Sequence, residues 1–191
     1  AHPAAVSDAR GYKSLAERWV TQGLYERNGS PTAWRTPGYV ALLGAGVLVS
    51  KSNLWLGFLN VVASTAVVPL VGLLATRLGL SVRASIIAAG FAAVMPPLVL
   101  WAPVLGPENL QAPLLLAAFV LLAGRQRYGV TAVAGLLLGL AVLVRPESIV
   151  YVPVGVVLLL PGPWMVIVRQ SAVLITMVLL VCTPWVVRNQ L

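Results

Sequence analysis

The sequence predicts an all-α, polytopic transmembrane helical protein with an extracytoplasmic amphipathic-helix loop, and two observations carry that prediction. Hydrophobic residues make up 59% of the 191 residues and charged residues only 9%, against about 25% charged in an ordinary soluble domain, so most of the chain does not face water. The apolar residues also come in charge-free runs. Ser52 to Thr76, Ala84 to Pro107 and Gln170 to Val187 each approach or exceed the roughly 18 residues that mark a spanning helix. Runs such as "LLLAAFVLLAG" and "AGLLLGLAVLV" are apolar on all sides, unlike the single stripe of a surface helix.

Residues 1–51 read as a loop on one face. Tyr12, Leu15, Ala16 and Trp19 recur at helical spacing with Arg10, Lys13, Glu17 and Arg18 on the other flanks, which predicts an amphipathic helix lying on a membrane surface. Turn signals follow at Asn28-Gly29, Ser30-Pro31 and Thr36-Pro37. "GYVALLGAGVLVS" is short for a span and suits an interfacial helix. Residues 52–191 then hold about six spans, at about 52–76, 84–103, 108–124, 128–145, 147–161 and 167–186. The "PGP" at Pro161 to Pro163 ends one helix near Leu160 and starts the last. No charged n-region precedes an apolar core at the start, and the chain is expected to be a fragment whose first span lies upstream. Cys182 stands alone in the last run, so it is read as packing.

The loops orient the bundle. Arg77 to Arg83, Arg125 to Tyr128 and Pro161 to Arg169 share one side and carry five arginines without an acid, which makes that side cytoplasmic by the positive-inside rule. Asp8, Glu17, Glu26, Glu108 and Glu147, all the acids in the chain, fall on the other side. The cations of the first 51 residues dissent from the rule, and the short loops outweigh them because the rule works best there. Trp34, Tyr39, Trp101 and Trp185 are read as interface anchors.

"SDARGYKSLAERWVTQGLYE", "WRTPGYVALL", "GPENLQAPLLLAAF", "GLLLGLAVLVRPESIVYVPV" and "TPWVVRNQ", in that order, resemble the amino-terminal half of a GT-C glycosyltransferase, of the branch holding the protein O-mannosyltransferases and the lipid A aminoarabinose transferase. The resemblance implies an enzyme that takes a sugar from a polyprenyl-phosphate carrier and moves it to an acceptor hydroxyl at the extracytoplasmic face of the cell membrane. It also implies that an acid in the first outer loop and an acid at the next outer turn form the active site, either on substrate or on a divalent metal. Those positions are Asp8 and Glu108 here. Their hard oxygen ligands suit magnesium or manganese.

Chemistry gives the acids a reason of their own, since sugar transfer to a hydroxyl needs a base for the hydroxyl proton. Asp8 is the candidate, and its plain alternative is a helix cap, with Ser7 beside it. Glu108 follows Pro107 at the start of a span, where the helix dipole alone favours an acid. Lipid phosphate leaving as an anion needs positioned donors, and arginine's planar fork provides them. Arg145 in "RPES" and Arg188 in "PWVVRN" are the candidates, against the alternative of cations at helix carboxy termini. Arg35, Lys13 and Tyr12 are further candidates for the lipid-phosphate site, although a basic amphipathic face also binds anionic membrane lipid. His2 is alone and is not read as a ligand.

Two other classes stand beside the enzyme. A transporter places ionisable groups within its spans, and the long runs here hold none; a noncatalytic membrane subunit would present the first loop to a partner. A net charge of +8 without an RNA or DNA motif does not make a nucleic-acid partner.

Overall fold

The computed structural model describes residues 3–27, 29–124, 127–160 and 162–190. Helices dominate it and strand is confined to one short hairpin, so the described chain is all-α. A two-residue hairpin, β1 (Glu26–Arg27) and β2 (Ser30–Pro31), pairs antiparallel between α1 (Pro3–Gln22) and α2 (Pro37–Val49). Gly29, at φ +79°, takes the left-handed turn that a side chain resists. Asn28, Arg125, Pro161 and His2, singled out above, lie outside the described residues.

Proline decides where the apolar runs break. The first becomes α3 (Asn53–Thr65) and α4 (Val67–Arg77), with a step at Ala66. Pro69 has no N–H for the Thr65 carbonyl, so the helix ends there and restarts. The second run becomes α5 (Val82–Val94) and a short α6 (Pro96–Trp101), because a residue before proline is driven out of the helical region. Met95 is accordingly extended, at φ −66° and ψ 117°. The expected single helix over 84–103 is therefore two. The runs over 108–124 and 128–145 form α7 (Glu108–Leu122) and α8 (Tyr128–Val144). The segment 147–161 starts with a 3₁₀ turn, Pro146–Tyr151, and continues as α9 (Val152–Val157). The last helix, α10 (Trp164–Arg188), is longer than expected at both ends. Among the described residues two helical lengths, Asn53–Arg77 and Trp164–Arg188, each of 25 residues, are long and apolar enough to cross a membrane.

Two apolar cores hold these helices together. Leu15 and Ala16 of α1, Tyr39, Val40, Leu43 and Val47 of α2, Leu56 of α3 and Val144 of α8 form one. Leu115, Ala118, Leu122, Ala134, Leu138, Ala141, Leu159, Leu174 and Val178 form the other, between α7, α8 and α10. The helix α2 is thus packed into the bundle along one face rather than lying flat on its surface. A Cβ on Gly38 would come within 2.7–2.8 Å of the Leu143 and Val144 backbone, so only glycine lets the start of α2 touch the end of α8. The α8–α10 seam uses the same device: a Cβ on Gly135 would stand 2.7 Å from the Leu174 carbonyl oxygen, and one on Gly139 would stand 2.8 Å from the Val181 Cβ. Small residues four apart bring helix backbones close in this way.

This packing sorts the connections into two ends. At one, Arg77 sits within reach of Gly124, whose added Cβ would stand 3.0 Å from the arginine Nη1. At the other, the start of α1, the 33–36 connection, the turn before α7 and the end of α8 meet. The outward faces are apolar, as at Leu54, Phe91 and Trp164, and such continuous apolar surface marks an interaction site for lipid or protein.

The seam yields a matched pair of variants. Gly135→Ala is expected to lower unfolding stability by about 1–3 kcal/mol through overpacking. Gly90→Ala, whose new Cβ meets nothing within 4 Å, is expected to be neutral or to gain up to about 1 kcal/mol of helix propensity. Denaturant unfolding of both in detergent reads the difference.

Candidate functional site

A cavity of about 710 Å³ opens where those four segments meet, and Asp8, Tyr12, Arg35, Glu108, Arg145 and Glu147 share its wall. They come from α1, the 33–36 connection, the start of α7 and the turn after α8. Val67, Pro97, Leu98, Trp101 and Ala112 line the same cavity and give it an apolar part.

Asp8 lies in the second turn of α1, which starts at Pro3, so it is not the helix cap. Its Oδ1 accepts a 2.9 Å hydrogen bond from Arg35 Nη2. The guanidinium lies 3.7 Å from the centre of the Tyr12 ring, a cation–π geometry, and Gly11 leaves room for it: a Cβ there would be 3.0 Å from Nη2. Arg35 is only 13% exposed whereas the Asp8 carboxylate is 75% exposed. The arginine is therefore the fixed half of the pair, and the carboxylate the half that meets solvent or ligand.

Glu108 opens α7 and Arg145 caps the end of α8, where the helix dipoles favour an acid and a cation respectively. Arg145 Nη1 donates to Glu108 Oε1, and its Nη2 pairs with Glu147 Oε1. One guanidinium therefore spans two carboxylates. Thr36 Oγ1 donates to the Val144 carbonyl at 3.1 Å, which ties the Arg35 segment to the residue before Arg145.

Beneath the cavity runs a buried polar chain with no counterpart in the sequence reading. Tyr39 is fully buried rather than an interface anchor. Its hydroxyl donates to Asn60 Oδ1 at 2.8 Å, and Asn60 Nδ2 donates to the Leu56 carbonyl at 2.8 Å. Asn109 Nδ2 stands 3.4 Å from the same Asn60 oxygen and 2.8–3.2 Å from the carbonyls of Trp101, Ala102 and Val104. The Asn109 amide thereby fastens the turn that leads into Glu108. Buried polar groups cost stability unless paired, so two asparagines inside apolar runs were the available signal. The Tyr12 ring meets the Tyr39 ring edge-on at 5.0 Å, which links this chain to Arg35 and Asp8.

The other sequence candidates sit elsewhere. Lys13 does not line the cavity: its Nζ donates to the Lys51 carbonyl at 2.7 Å and to Asn53 Oδ1 at 2.6 Å, fastening α1 to the start of α3. Arg188 does not line it either. It donates to the carbonyls of Thr32 and Tyr25 at 2.9 and 3.2 Å and stacks over Tyr25 and Trp185, so it clamps the hairpin to α10. Trp34 and Trp101, read as anchors, line the cavity, while Trp185 packs edge-on against Tyr25.

The two expected metal ligands, Asp8 and Glu108, already face guanidinium groups. Among the described residues no group of three or more His, Cys, Asp or Glu side chains gathers to hold an ion. Arginine supplies the positive charge in this arrangement. No family model, curated protein or solved structure matches the chain.

Tyr25 is the keystone of the segment between α1 and α2: buried, edge-on to Trp19 at 5.2 Å and donating to the Arg35 carbonyl at 2.9 Å. Burial pushes its hydroxyl well above the ordinary value near 10, against a smaller opposing pull from Arg188. The folded state then holds that proton longer than the unfolded chain. Its contribution is complete below the ordinary value and is lost as pH rises above it. Unfolding stability is expected to fall above about pH 10, and to fall less steeply in Tyr25→Phe, as followed by tyrosinate absorbance and denaturant titration.

Proposed function

We propose that the protein is a multi-pass membrane glycosyltransferase of GT-C type that moves a sugar from a polyprenyl-phosphate carrier to an acceptor hydroxyl, with its cavity on the extracytoplasmic side of the cell membrane. One observation carries the reading: Asp8 and Glu108, a hundred positions apart, line one cavity together with Arg35 and Arg145. The apolar part of the lining, and the apolar exposed faces of α3, α5 and α10, support a lipid-linked substrate whose tail stays in bilayer.

The chemistry follows from the residues. The acceptor oxygen attacks the anomeric carbon, the bond from that carbon to the carrier phosphate breaks, and the hydroxyl proton passes to Asp8. Its partner Arg35 keeps the carboxylate aimed into the cavity. The carrier phosphate leaves as an anion and is held by Arg145, whose fork suits phosphate oxygens. Glu108 orients the substrate and holds Arg145 in place. Arg188 and Lys13 serve the loop around the site. A divalent cation bound here would be held by Asp8 and Glu108.

The protein reconstituted in liposomes with a panel of radiolabelled polyprenyl-phosphate sugars is expected to transfer label to acceptor. Asp8→Asn is expected to lose about 10²–10⁴-fold of that rate, the usual contribution of a positioned base, while keeping the wild-type unfolding curve. Equal transfer by both would remove Asp8 from the chemistry.

A further inference from the structure

Glu147 takes no part in the steps above, yet it occupies half of the Arg145 guanidinium. The two donor nitrogens of Arg145 point to different carboxylates, Nη1 to Glu108 and Nη2 to Glu147. The fork that would grip a phosphate with two parallel bonds is thus already divided. We propose that Glu147 is a displaceable counter-anion, which holds Arg145 in the cavity until an anionic phosphate headgroup takes its place and which thereby sets the ligands the cavity admits. The inference rests on the reading of Arg145 as a phosphate-binding residue.

Three features favour exchange over a permanent brace. First, the Glu147 side chain is 54% exposed and Arg145 33%, and both line the cavity, so an incoming ligand reaches the pair directly. Exposed ion pairs of this kind are weak, whereas a phosphate dianion offers the same arginine two charge-assisted bonds at once. Second, the pairing is local. Only Pro146 separates the two residues, and the turn stands on other bonds: Ser148 N–H donates to the Arg145 carbonyl at 2.9 Å, and Gln111 Nε2 donates to Ser148 Oγ at 2.8 Å. Withdrawing the Glu147 carboxylate breaks neither. Third, Glu108 stays on Nη1 when Glu147 leaves, so Arg145 keeps its position while Nη2, with the neighbouring Nε–H, is left as a two-donor fork for the phosphate. A neutral headgroup has no charge with which to displace a carboxylate, and the cavity rejects it.

The test is calorimetric titration of the protein in nanodiscs with dodecyl phosphate, inorganic phosphate and uncharged dodecyl glucoside. Glu147→Gln, with Glu147→Ser as a second variant should the first misfold, is expected to bind dodecyl phosphate about twofold to fivefold more tightly than wild type, the size of an exposed ion pair. Arg145→Gln is expected to lose that binding, and dodecyl glucoside to show none with any variant. Tightening for dodecyl phosphate alone assigns the site to a lipid headgroup; matching tightening for inorganic phosphate assigns it to free phosphate. Unchanged or weaker binding by the Glu147 variants, equal binding by Arg145→Gln, or no phosphate binding by any form overturns the proposal. Tightening in a protein that transfers no sugar would keep the counter-anion role and discard the transferase.

Discussion

The guanidinium–carboxylate pairs at one end of the bundle are the constraint on which the rest depends. A chain with five acids and thirteen cations has few charges to place, and a buried or half-buried charge must find a partner. Arg35 holds Asp8, and Arg145 holds Glu108 and Glu147. These pairs join four segments spread over 140 positions, and the cavity is the space left between them. Each pair alone is weak where it meets water. Their value is positional, because they converge on ground prepared by apolar packing.

That ground is laid by close backbone approaches and a short polar chain. Gly38 lets α2 touch α8, Gly11 lets Arg35 lie on α1, and Asn109 gathers the carbonyls of the turn before Glu108. The order of cause runs from small residues, to helix contact, to a fixed turn, to an aimed carboxylate. Lys13 and Arg188 belong to the same scaffold: each donates to backbone carbonyls within residues 1–51 and so fastens α1 and the hairpin in place.

Much of this was legible from composition and spacing. Apolar runs announce α7, α8 and α10, and the scarcity of acids points to Asp8 and Glu108, because rare carboxylates in an oily chain are conspicuous. Arg145 is legible for a different reason, its place at the end of an apolar run on the side where the positive-inside rule expects few cations. The reading failed where tertiary contact decides. Tyr39 looks like an interfacial aromatic until Asn60, 21 positions on, is seen to accept its hydroxyl proton. Asp8 looks like a cap until α1 is seen to begin five residues earlier. Pro69 and Pro96 were visible, but a single apolar run of spanning length hid the breaks they impose. Glu147 was counted among the outer acids without a role, since nothing in "RPES" says that its carboxylate turns back onto Arg145.

The shared cavity is tested most directly by cross-linking across it. In a Cys182→Ser background, cysteines placed at positions 8 and 108 of the protein reconstituted in liposomes are joined by a short bifunctional thiol reagent within one chain. The account predicts efficient intramolecular cross-linking, suppressed when an amphiphile with a phosphate head fills the cavity. Cysteines that both react but never with each other, or that react only from opposite sides of the membrane, would contradict it.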